Sequence, residues 1–228
     1  MLNKIIPQNK NITIILGHYG SGKSEVISNL ILNSKKEKRI LYDLDIINPY
    51  FRTNSLIKKF EENNIIYISG TVEGLNMDLP SIPNIKNDNE ADIYIDLAGD
   101  SAGVKVLKGY KENLFPKDNC NFYMVINVNR PETKDEASIE EQINKIENEL
   151  TEKITGIISN THLLDLTSGE DIIKGFNIIK KISEKRKIPI IYVTYPQKYV
   201  QEEELILIKD ECKLYPLDLN LRATWMNN

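Results

Sequence analysis

Residues 17–24 have the composition and spacing of a loop that binds phosphate. Their sequence, GHYGSGKS, fits the pattern G-x-x-x-x-G-K-[ST]. We expect Gly17 and Gly22 to let the backbone turn tightly, so that amides of the loop point at an anion. In this pattern Lys23 reaches the β- and γ-phosphate oxygens, and the Ser24 hydroxyl ligates Mg²⁺. The run therefore predicts a site for a triphosphate and a magnesium ion, and the alternative is an ordinary glycine turn.

Two apolar runs end in carboxylates that could serve the same site. Asp43 and Asp45 close the first run, RILYDLD, and share one side of a strand because they are two residues apart. A carboxylate here would hold a magnesium-bound water or orient the attacking water, and the alternative is a turn that ends a strand. The second run, ADIYIDL, ends at Asp96 as in the Walker B pattern, whose carboxylate reaches Mg²⁺ usually through water. Gly99 would then offer its amide to the γ-phosphate.

These motifs follow short apolar runs that alternate with stretches of helical spacing. Strands are predicted at 11–16, 39–44, 65–68, 91–97, 122–128, 154–159, 188–194 and 214–217. Helices are predicted at 24–33, 53–62, 104–114, 132–150 and 170–185. The alternation predicts an α/β fold, a mostly parallel β-sheet flanked by helices on both faces. In such sheets ligands bind outside the carboxyl ends of the strands, which is where the motifs stand.

Length and composition predict one soluble domain. The 228 residues suffice for one α/β domain, and the formal net charge of −4 gives no positive field that would attract nucleic acid. No apolar run approaches the ~18 residues of a membrane-spanning helix, and no secretory signal is evident. The two cysteines, Cys120 and Cys212, favour a reducing compartment. We expect a single nucleotide-binding domain over residues 1–228 in the cytoplasm, with no membrane span and no nucleic-acid partner.

Three segments together resemble the CobQ/CobB/MinD/ParA family of P-loop nucleotide-binding proteins. They are GHYGSGKS, DLDIINP and DLAG, while NPYFR, NVNRPET and SNTHL resemble segments of a subgroup of ATP-binding proteins in that family. The resemblance implies a SIMIBI-like, three-layer P-loop NTPase fold. It also implies that Asp45 supports water activation and that Asn160 contacts adenine.

The residue predictions follow from the motifs and the resemblance together. The predicted catalytic residues are Lys23, Asp45 and Asp96. The predicted magnesium ligands are Ser24, Asp45 and Asp96. The predicted nucleotide-binding residues are Gly17, Gly20, Ser21, Gly22, Lys23, Ser24, Gly99 and Asn160.

The sequence departs from this family at His18. ParA-like and MinD-like members carry a signature lysine there, which contacts nucleotide across a dimer, so a homodimer that depends on that lysine is not expected and other homodimers stay open. We expect His18 to be a loop residue rather than a catalytic base. Arg52 would lie near the γ-phosphate or form an ion pair at a helix start. Trp225 would anchor the chain end or contact a partner.

The base is predicted to be adenine rather than guanine. GTPases usually read guanine with Asn-Lys-x-Asp after a strand, because the aspartate accepts two hydrogen bonds from the base. The strand at 122–128 is followed instead by NRPE. A near match, NKIE at 144–147, falls within a predicted helix.

The sequence therefore predicts a magnesium-dependent ATP-binding protein. The first hypothesis is a slow ATPase that acts as a nucleotide-controlled switch for a partner protein in assembly, maturation or positioning. The second is an ATP-dependent small-molecule kinase or ligase, which the small number of arginines, five, disfavours. The third is a binding module without turnover.

Overall fold

A computed structural model describes residues 10–44, 56–69, 90–97 and 119–221. Its centre is an eight-stranded sheet in which every neighbouring pair of strands is parallel, in the order β3-β2-β4-β1-β5-β6-β7-β8. The strands are β1 (Ile12–Leu16), β2 (Lys38–Leu44), β3 (Ile65–Ser69), β4 (Ala91–Leu97), β5 (Cys120–Ile126), β6 (Gly156–Ser159), β7 (Ile190–Pro196) and β8 (Leu214–Leu217). The helices are α1 (Lys23–Leu32), α2 (Ile57–Glu62), α3 (Glu136–Leu150) and α4 (Gly169–Arg186). Among the described residues, three short 3₁₀ helices lie at Pro131–Thr133, Leu164–Leu166 and Glu202–Leu205.

Helices cover both faces of the sheet. The side chains of Ile12, Ile14 and Leu16 on β1 pack on the side of α3 and α4, whereas Ile15 packs on the side of α1 and α2. All four side chains are buried, and burying one aliphatic side chain of this size stabilises the fold by about 1.5–3 kcal/mol. The alternation fixes β1 in the middle layer, so the loop that follows it starts from a rigid strand.

The register of the central strands brings the predicted motifs to one edge of the sheet. β1 lies between β4 and β5, and Ile15 stands opposite Asp96. Asp96 in turn stands opposite Asp43 of β2. Because the strands are parallel, their carboxyl ends share an edge, and Asp96 therefore ends its strand beside the start of the loop at Gly17.

The helix predicted over 132–150 is wrong in its first turn. α3 begins at Glu136, after the 3₁₀ helix Pro131–Thr133. The reason is Asp135, whose carboxylate accepts a hydrogen bond from the Ser138 amide at 2.9 Å, while its own amide donates to the Ser138 hydroxyl at 3.1 Å. This reciprocal capping starts the helix there.

The other strands and helices predicted within the described residues are present, and the ends of several are shifted by one or two residues. The strand predicted over 122–128 runs from Cys120 to Ile126. The predicted helix at 104–114 and the beginning of the one at 53–62 lie outside the described residues. In the part of the chain that the structure describes, no helix is both long enough and apolar enough to cross a membrane. Cys120 and Cys212 are free thiols, and burial raises the pKa of Cys120 to about 11.

Candidate phosphate-binding site

The loop between β1 and α1 has a backbone that only glycine tolerates at three positions. Gly17, Gly20 and Gly22 have φ angles of 141°, 75° and 87°. A Cβ atom on Gly17 would lie 2.4 Å from the carbonyl oxygen of Val125, and one on Gly22 would lie 2.3 Å from Nδ2 of Asn160. The predicted glycines are therefore required both by conformation and by the space around them.

Helix α1 starts at Lys23, directly after the loop, and its beginning is open to an anion. Gly22 is the N-cap and offers no side chain to the first amides of the helix. These amides have no partner within a helix, and their dipoles favour a negative charge. The ten-residue helix thus presents donors at the point where the motif expects phosphate.

The polar side chains of the loop are buried at the same place. Lys23 is only 2% exposed, and its Nζ donates to the carbonyl oxygen of His18 at 3.3 Å. Ser24 is also buried. The Oγ of Ser21 is buried and has no hydrogen-bond partner among the described residues. A buried hydroxyl without a partner costs free energy, and a phosphate oxygen is an acceptor that it could reach from within the loop.

Asn160 donates a hydrogen bond to the backbone of this loop. It follows β6, is buried, and donates from Nδ2 to the carbonyl oxygen of Ser21 at 2.7 Å. Its Oδ1 accepts from the Thr194 hydroxyl at 2.6 Å, and its backbone amide donates to Ile126 at 2.8 Å. Both ends of the side chain are thus bonded within the protein. Its predicted contact with adenine stays a prediction, while its contact with the loop is observed.

Arg130 also contacts the loop, and it was not among the predicted site residues. Its Nε donates to the carbonyl oxygen of Gly20 at 3.0 Å. The guanidinium is so close that a Cβ on Gly20 would lie 2.9 Å from this nitrogen. The two residues are 110 positions apart, so no local pattern could have revealed the contact. The only signal was that Arg130 lies in the segment NVNRPET.

Asn127 ties the segment of Arg130 to the segment of Asn160. Its Oδ1 accepts from the amides of Asn129 at 3.0 Å and His162 at 3.3 Å, and its Nδ2 donates to the carbonyl of His162 at 3.2 Å. The Thr133 hydroxyl donates to the Asn127 carbonyl at 2.6 Å. The two segments that contact the loop are therefore held as one unit.

The carboxylates of the site differ in their surroundings. Asp96 is 1% exposed at the end of β4. Asp43 accepts a hydrogen bond from the Tyr67 hydroxyl at 2.9 Å. Asp45 and Gly99, predicted for magnesium and phosphate, lie outside the described residues, as does Arg52.

His18 lies at the rim of the loop. Its Nδ1 is 3.6 Å from the Glu132 carboxylate and 3.1 Å from the carbonyl oxygen of Tyr19. Its own carbonyl oxygen accepts bonds from the Ser21 amide and from Lys23. These contacts agree with the expectation of a loop residue.

Two side chains of α1 bind the end of the described chain. The Glu25 carboxylate accepts hydrogen bonds from the amides of Asn220 at 2.6 Å and Leu221 at 3.1 Å. One turn later, Asn29 exchanges two hydrogen bonds of 2.9 Å with the backbone of Asp218. Burial raises the pKa of Glu25 to about 7, although both amides and the nearby Lys59 oppose that shift. The helix that follows the loop is thus packed by Tyr215–Leu221 as well.

The arrangement of the sheet and the position of the loop define the fold class. A parallel sheet with helices on both faces and a glycine loop between β1 and α1 is the α/β fold of P-loop NTPases, and the predicted fold class is confirmed.

Solved structures of FtsY have a similar fold. The signal recognition particle receptor FtsY of Elizabethkingia anophelis aligns with a TM-score of 0.51 and 16% identity, over 85% of this chain and 62% of that one. The cell division protein FtsY of Thermotoga maritima aligns with a TM-score of 0.51 and 19% identity, over 85% and 63%. The Elizabethkingia receptor has also been solved in complex with GDP, and that structure aligns at 0.40 with 12% identity, over 95% and 58%. This chain spans less than two-thirds of each of these proteins.

Comparison by sequence adds no relative. No protein-family model matches the chain, and no curated protein matches it. The predicted resemblance to the CobQ/CobB/MinD/ParA family therefore stays a prediction at the level of the family.

Proposed function

We propose that this protein binds ATP with Mg²⁺ and hydrolyses it slowly, as a nucleotide-controlled switch for a partner protein. The observation that carries the proposal is the loop itself. Three glycines in the left-handed region wrap a buried lysine, and the Ser21 hydroxyl has no partner among the described residues. These are the donors that a triphosphate requires.

Each residue of the loop has a task in this proposal. The amides of residues 18–24 and the start of α1 would hold the β-phosphate. Lys23 would leave the His18 carbonyl and place its ammonium between the β- and γ-phosphates. Asn160 and Arg130 would keep the loop carbonyls of Ser21 and Gly20 turned outward, so that the amides face the ligand. Catalysis of this kind depends on positioning and on electrostatic stabilisation.

Magnesium would be held mainly by the ligand rather than by a protein cage. In the described ranges no three histidine, cysteine, aspartate or glutamate side chains are grouped so that they could hold a metal. Mg²⁺ commonly binds through one or two protein oxygens together with phosphates and waters, where it neutralises phosphate charge. Ser24 would be a direct ligand, and the buried Asp96, with the proposed help of Asp45, would hold a coordinated water.

Adenine is proposed as the base, with guanine as the competitor. The near match NKIE at 144–147 lies on α3, and the Glu147 carboxylate accepts from Lys153 at 2.7 Å and Arg186 at 2.8 Å. That carboxylate is therefore engaged and cannot read guanine. Guanine must still be tested, because FtsY of Elizabethkingia anophelis was solved with GDP.

A switch is favoured over a small-molecule kinase by the arrangement of arginines. Of the three arginines that the structure describes, Arg130 alone contacts the loop. Arg39 donates to the carbonyls of Leu32 and Asn63, and Arg186 pairs with Glu140 and Glu147. Kinases of this architecture usually bring several arginines onto the phosphates, so the described residues fit a switch better.

Steady-state phosphate release tests the proposal. We expect slow, magnesium-dependent release from ATP that falls at least about tenfold in Lys23→Ala and in Asp96→Asn, because both lose charge at the site of phosphoryl transfer. Lys36→Ala, at an exposed position after α1, is the matched control and should behave as wild type. Equal rates in all four proteins would exclude the ATPase, and rapid transfer to an added metabolite would favour the kinase. Binding without release over hours would leave a module without turnover.

A further inference from the structure

Most of the large apolar side chains that are exposed on the described surface lie in two short segments. Seven such residues are exposed among the described residues, and five of them fall in two short segments. Leu166, Leu207 and Ile206 are exposed by 78%, 75% and 68%, and Leu163 and Leu164 accompany them. We call these five residues the apolar surface. Exposed apolar groups that cluster in this way are typical of surfaces that bind a partner.

The two segments meet at the beginning of α4. The 3₁₀ helix Leu164–Leu166 directly precedes Gly169, the first residue of α4. A Cβ on Gly169 would lie only 2.7 Å from Cβ of Glu204, in the 3₁₀ helix that precedes Ile206 and Leu207.

The outward orientation of Ile206 and Leu207 is fixed by their neighbours. Leu205 and Ile208, on either side, are buried against Ile172 and Phe176 of α4. The Ile208 amide donates to the Leu205 carbonyl at 3.0 Å, which closes the turn between them. The two exposed side chains are therefore held in place on a packed segment.

Acidic side chains outnumber basic ones in the two segments that carry the apolar surface, although Lys180 of α4 also pairs with Glu211. Residues 163–171 and 201–211 contain one lysine, Lys209, which pairs with Glu202 at 2.8 Å. The same residues contain eight acidic side chains: Asp165, Glu170, Asp171, Glu202, Glu203, Glu204, Asp210 and Glu211. A partner that covers the leucines must bring positive charge to the rim.

The apolar surface is connected to the phosphate loop through one short segment. Asn160 contacts Ser21 in the loop, and a Cβ on Gly22 would lie 3.2 Å from Nε2 of His162. Thr161 packs on α4, since a Cβ on Gly175 would lie 2.1 Å from the Thr161 hydroxyl oxygen. Leu163 and Leu164 follow at once in the chain. A shift of the loop would therefore reach the exposed leucines through few residues.

We propose that the apolar surface docks a cationic amphipathic helix of a partner protein. Leucine-type side chains of that helix would cover the exposed leucines, and its lysines or arginines would face the acidic rim. The docking itself does not depend on the proposed function. Only the expectation that nucleotide changes this docking rests on the proposed function above.

Charge argues against the other occupants. Nucleic acid and anionic lipid would be repelled by the rim. In a dimer with two-fold symmetry, the carboxylates of one copy would face the same carboxylates of the other copy and repel them. A copy that used Lys180, Lys181 or Lys185 of α4 would have to break existing ion pairs, because these lysines already pair with Glu211, Glu136 and Glu140.

Fluorescence anisotropy with a defined probe tests the docking proposal. The probe is a fluorescein-labelled peptide of leucine and lysine in amphipathic helical order, and the control peptide has glutamate in place of lysine. Leu166→Ser/Leu207→Ser changes the apolar surface, and its control is Ile66→Ser, an exposed isoleucine on β3. Glu203→Lys changes the rim, and its control is Glu62→Lys, also exposed on α2.

In the absence of nucleotide, we expect the lysine peptide to bind and the glutamate peptide not to bind. The affinity for the lysine peptide should be at least about tenfold lower in Leu166→Ser/Leu207→Ser than in wild type. Glu203→Lys should weaken binding about threefold or more, and the two control variants should match wild type. Equal binding of both peptides, or equal loss in Ile66→Ser or Glu62→Lys, overturns the proposal. So does concentration-dependent self-association in sedimentation velocity that Leu166→Ser/Leu207→Ser abolishes.

A second titration separates this inference from the proposed function. With Mg²⁺-ATP present, we expect the affinity for the lysine peptide to change at least about threefold, and an unchanged affinity would overturn the connection to the loop. Calorimetry of the same samples with ATP shows independently whether nucleotide binds.

Discussion

The side-chain amide of Asn160 donates a 2.7 Å hydrogen bond to the carbonyl oxygen of Ser21, across 139 positions of sequence. This bond fixes the direction of one peptide group in the phosphate loop. Since the carbonyl points at Asn160, the amide that follows it points to the opposite side, where the loop would hold an anion. The affinity of the loop for nucleotide should therefore depend on a residue beneath it.

Asn160→Ala should weaken ATP binding by about tenfold. The substitution removes the side-chain donor to the Ser21 carbonyl, at a cost of about 1–3 kcal/mol for a buried group that loses its partner, while the Thr194 hydroxyl keeps the Ser159 carbonyl as an acceptor at 3.1 Å. Titration calorimetry measures the affinity, and Asn177→Ala, exposed on α4, is the control. An affinity equal to wild type in Asn160→Ala would show that the loop does not depend on this bond.

Arg130→Ala should lower the affinity for ATP more than that for ADP. Its Nε holds the Gly20 carbonyl, and its guanidinium adds positive charge beside the loop, which favours the ligand with more phosphate charge. The control is Arg186→Ala, which breaks ion pairs with Glu140 and Glu147 and should lower Tm without changing either affinity. If Arg130→Ala lowered the affinities for ATP and ADP equally, the role of Arg130 would be limited to stabilising the conformation of the loop.

Glu25 should make stability fall as pH rises from about 5 to 8. Burial raises its pKa from 4.5 to about 7 in the folded protein, so the folded state binds the proton more tightly than the unfolded state. The stabilising effect is complete below pH 4.5 and is lost as pH rises through about 7. Lys59 and Asp218 are the charged side chains that also act on this carboxylate.

Glu25→Gln removes this titration and provides the comparison. Urea unfolding at pH 5 and pH 8 should show a decrease in the free energy of unfolding that is larger in wild type than in Glu25→Gln, by about 3 kcal/mol at most. Parallel pH profiles for the two proteins would contradict the account. Only the difference between the pH values is compared, because glutamine also loses one acceptor for the amides of Asn220 and Leu221.

Local patterns predicted the elements, and long-range contacts determined what the sequence could not show. The glycine loop and the strand ending at Asp96 were predictable because spacing and strand alternation are local properties. The contacts of Arg130, Asn127 and Asn160 with or near the loop could not be predicted, because they depend on partners in other segments. The start of α3 is the exception, because the bonds between Asp135 and Ser138 that begin the helix are local. The predicted contact of Asn160 with adenine stays a prediction.

The exposed leucines show a second limit of sequence reasoning. In the composition, Leu166 and Leu207 are ordinary hydrophobic residues. The structure shows that Leu205 and Ile208 are buried, whereas Ile206 and Leu207 between them are exposed. Three expectations stay predictions: a single domain over residues 1–228, a cytoplasmic location, and the roles of Asp45 and Gly99. A homodimer and the two alternatives for each of Arg52 and Trp225 stay open.

Titration calorimetry with Mg²⁺-ATP tests most directly whether the loop binds a triphosphate. We expect saturable heat from one site and weaker binding of GTP than of ATP. In Lys23→Ala the affinity for ATP should fall at least about a hundredfold, because the only buried ammonium of the described loop is removed. Thermal unfolding of the same samples confirms that both proteins are folded. No heat from either nucleotide with folded wild-type protein, or equal binding by Lys23→Ala, would contradict the account.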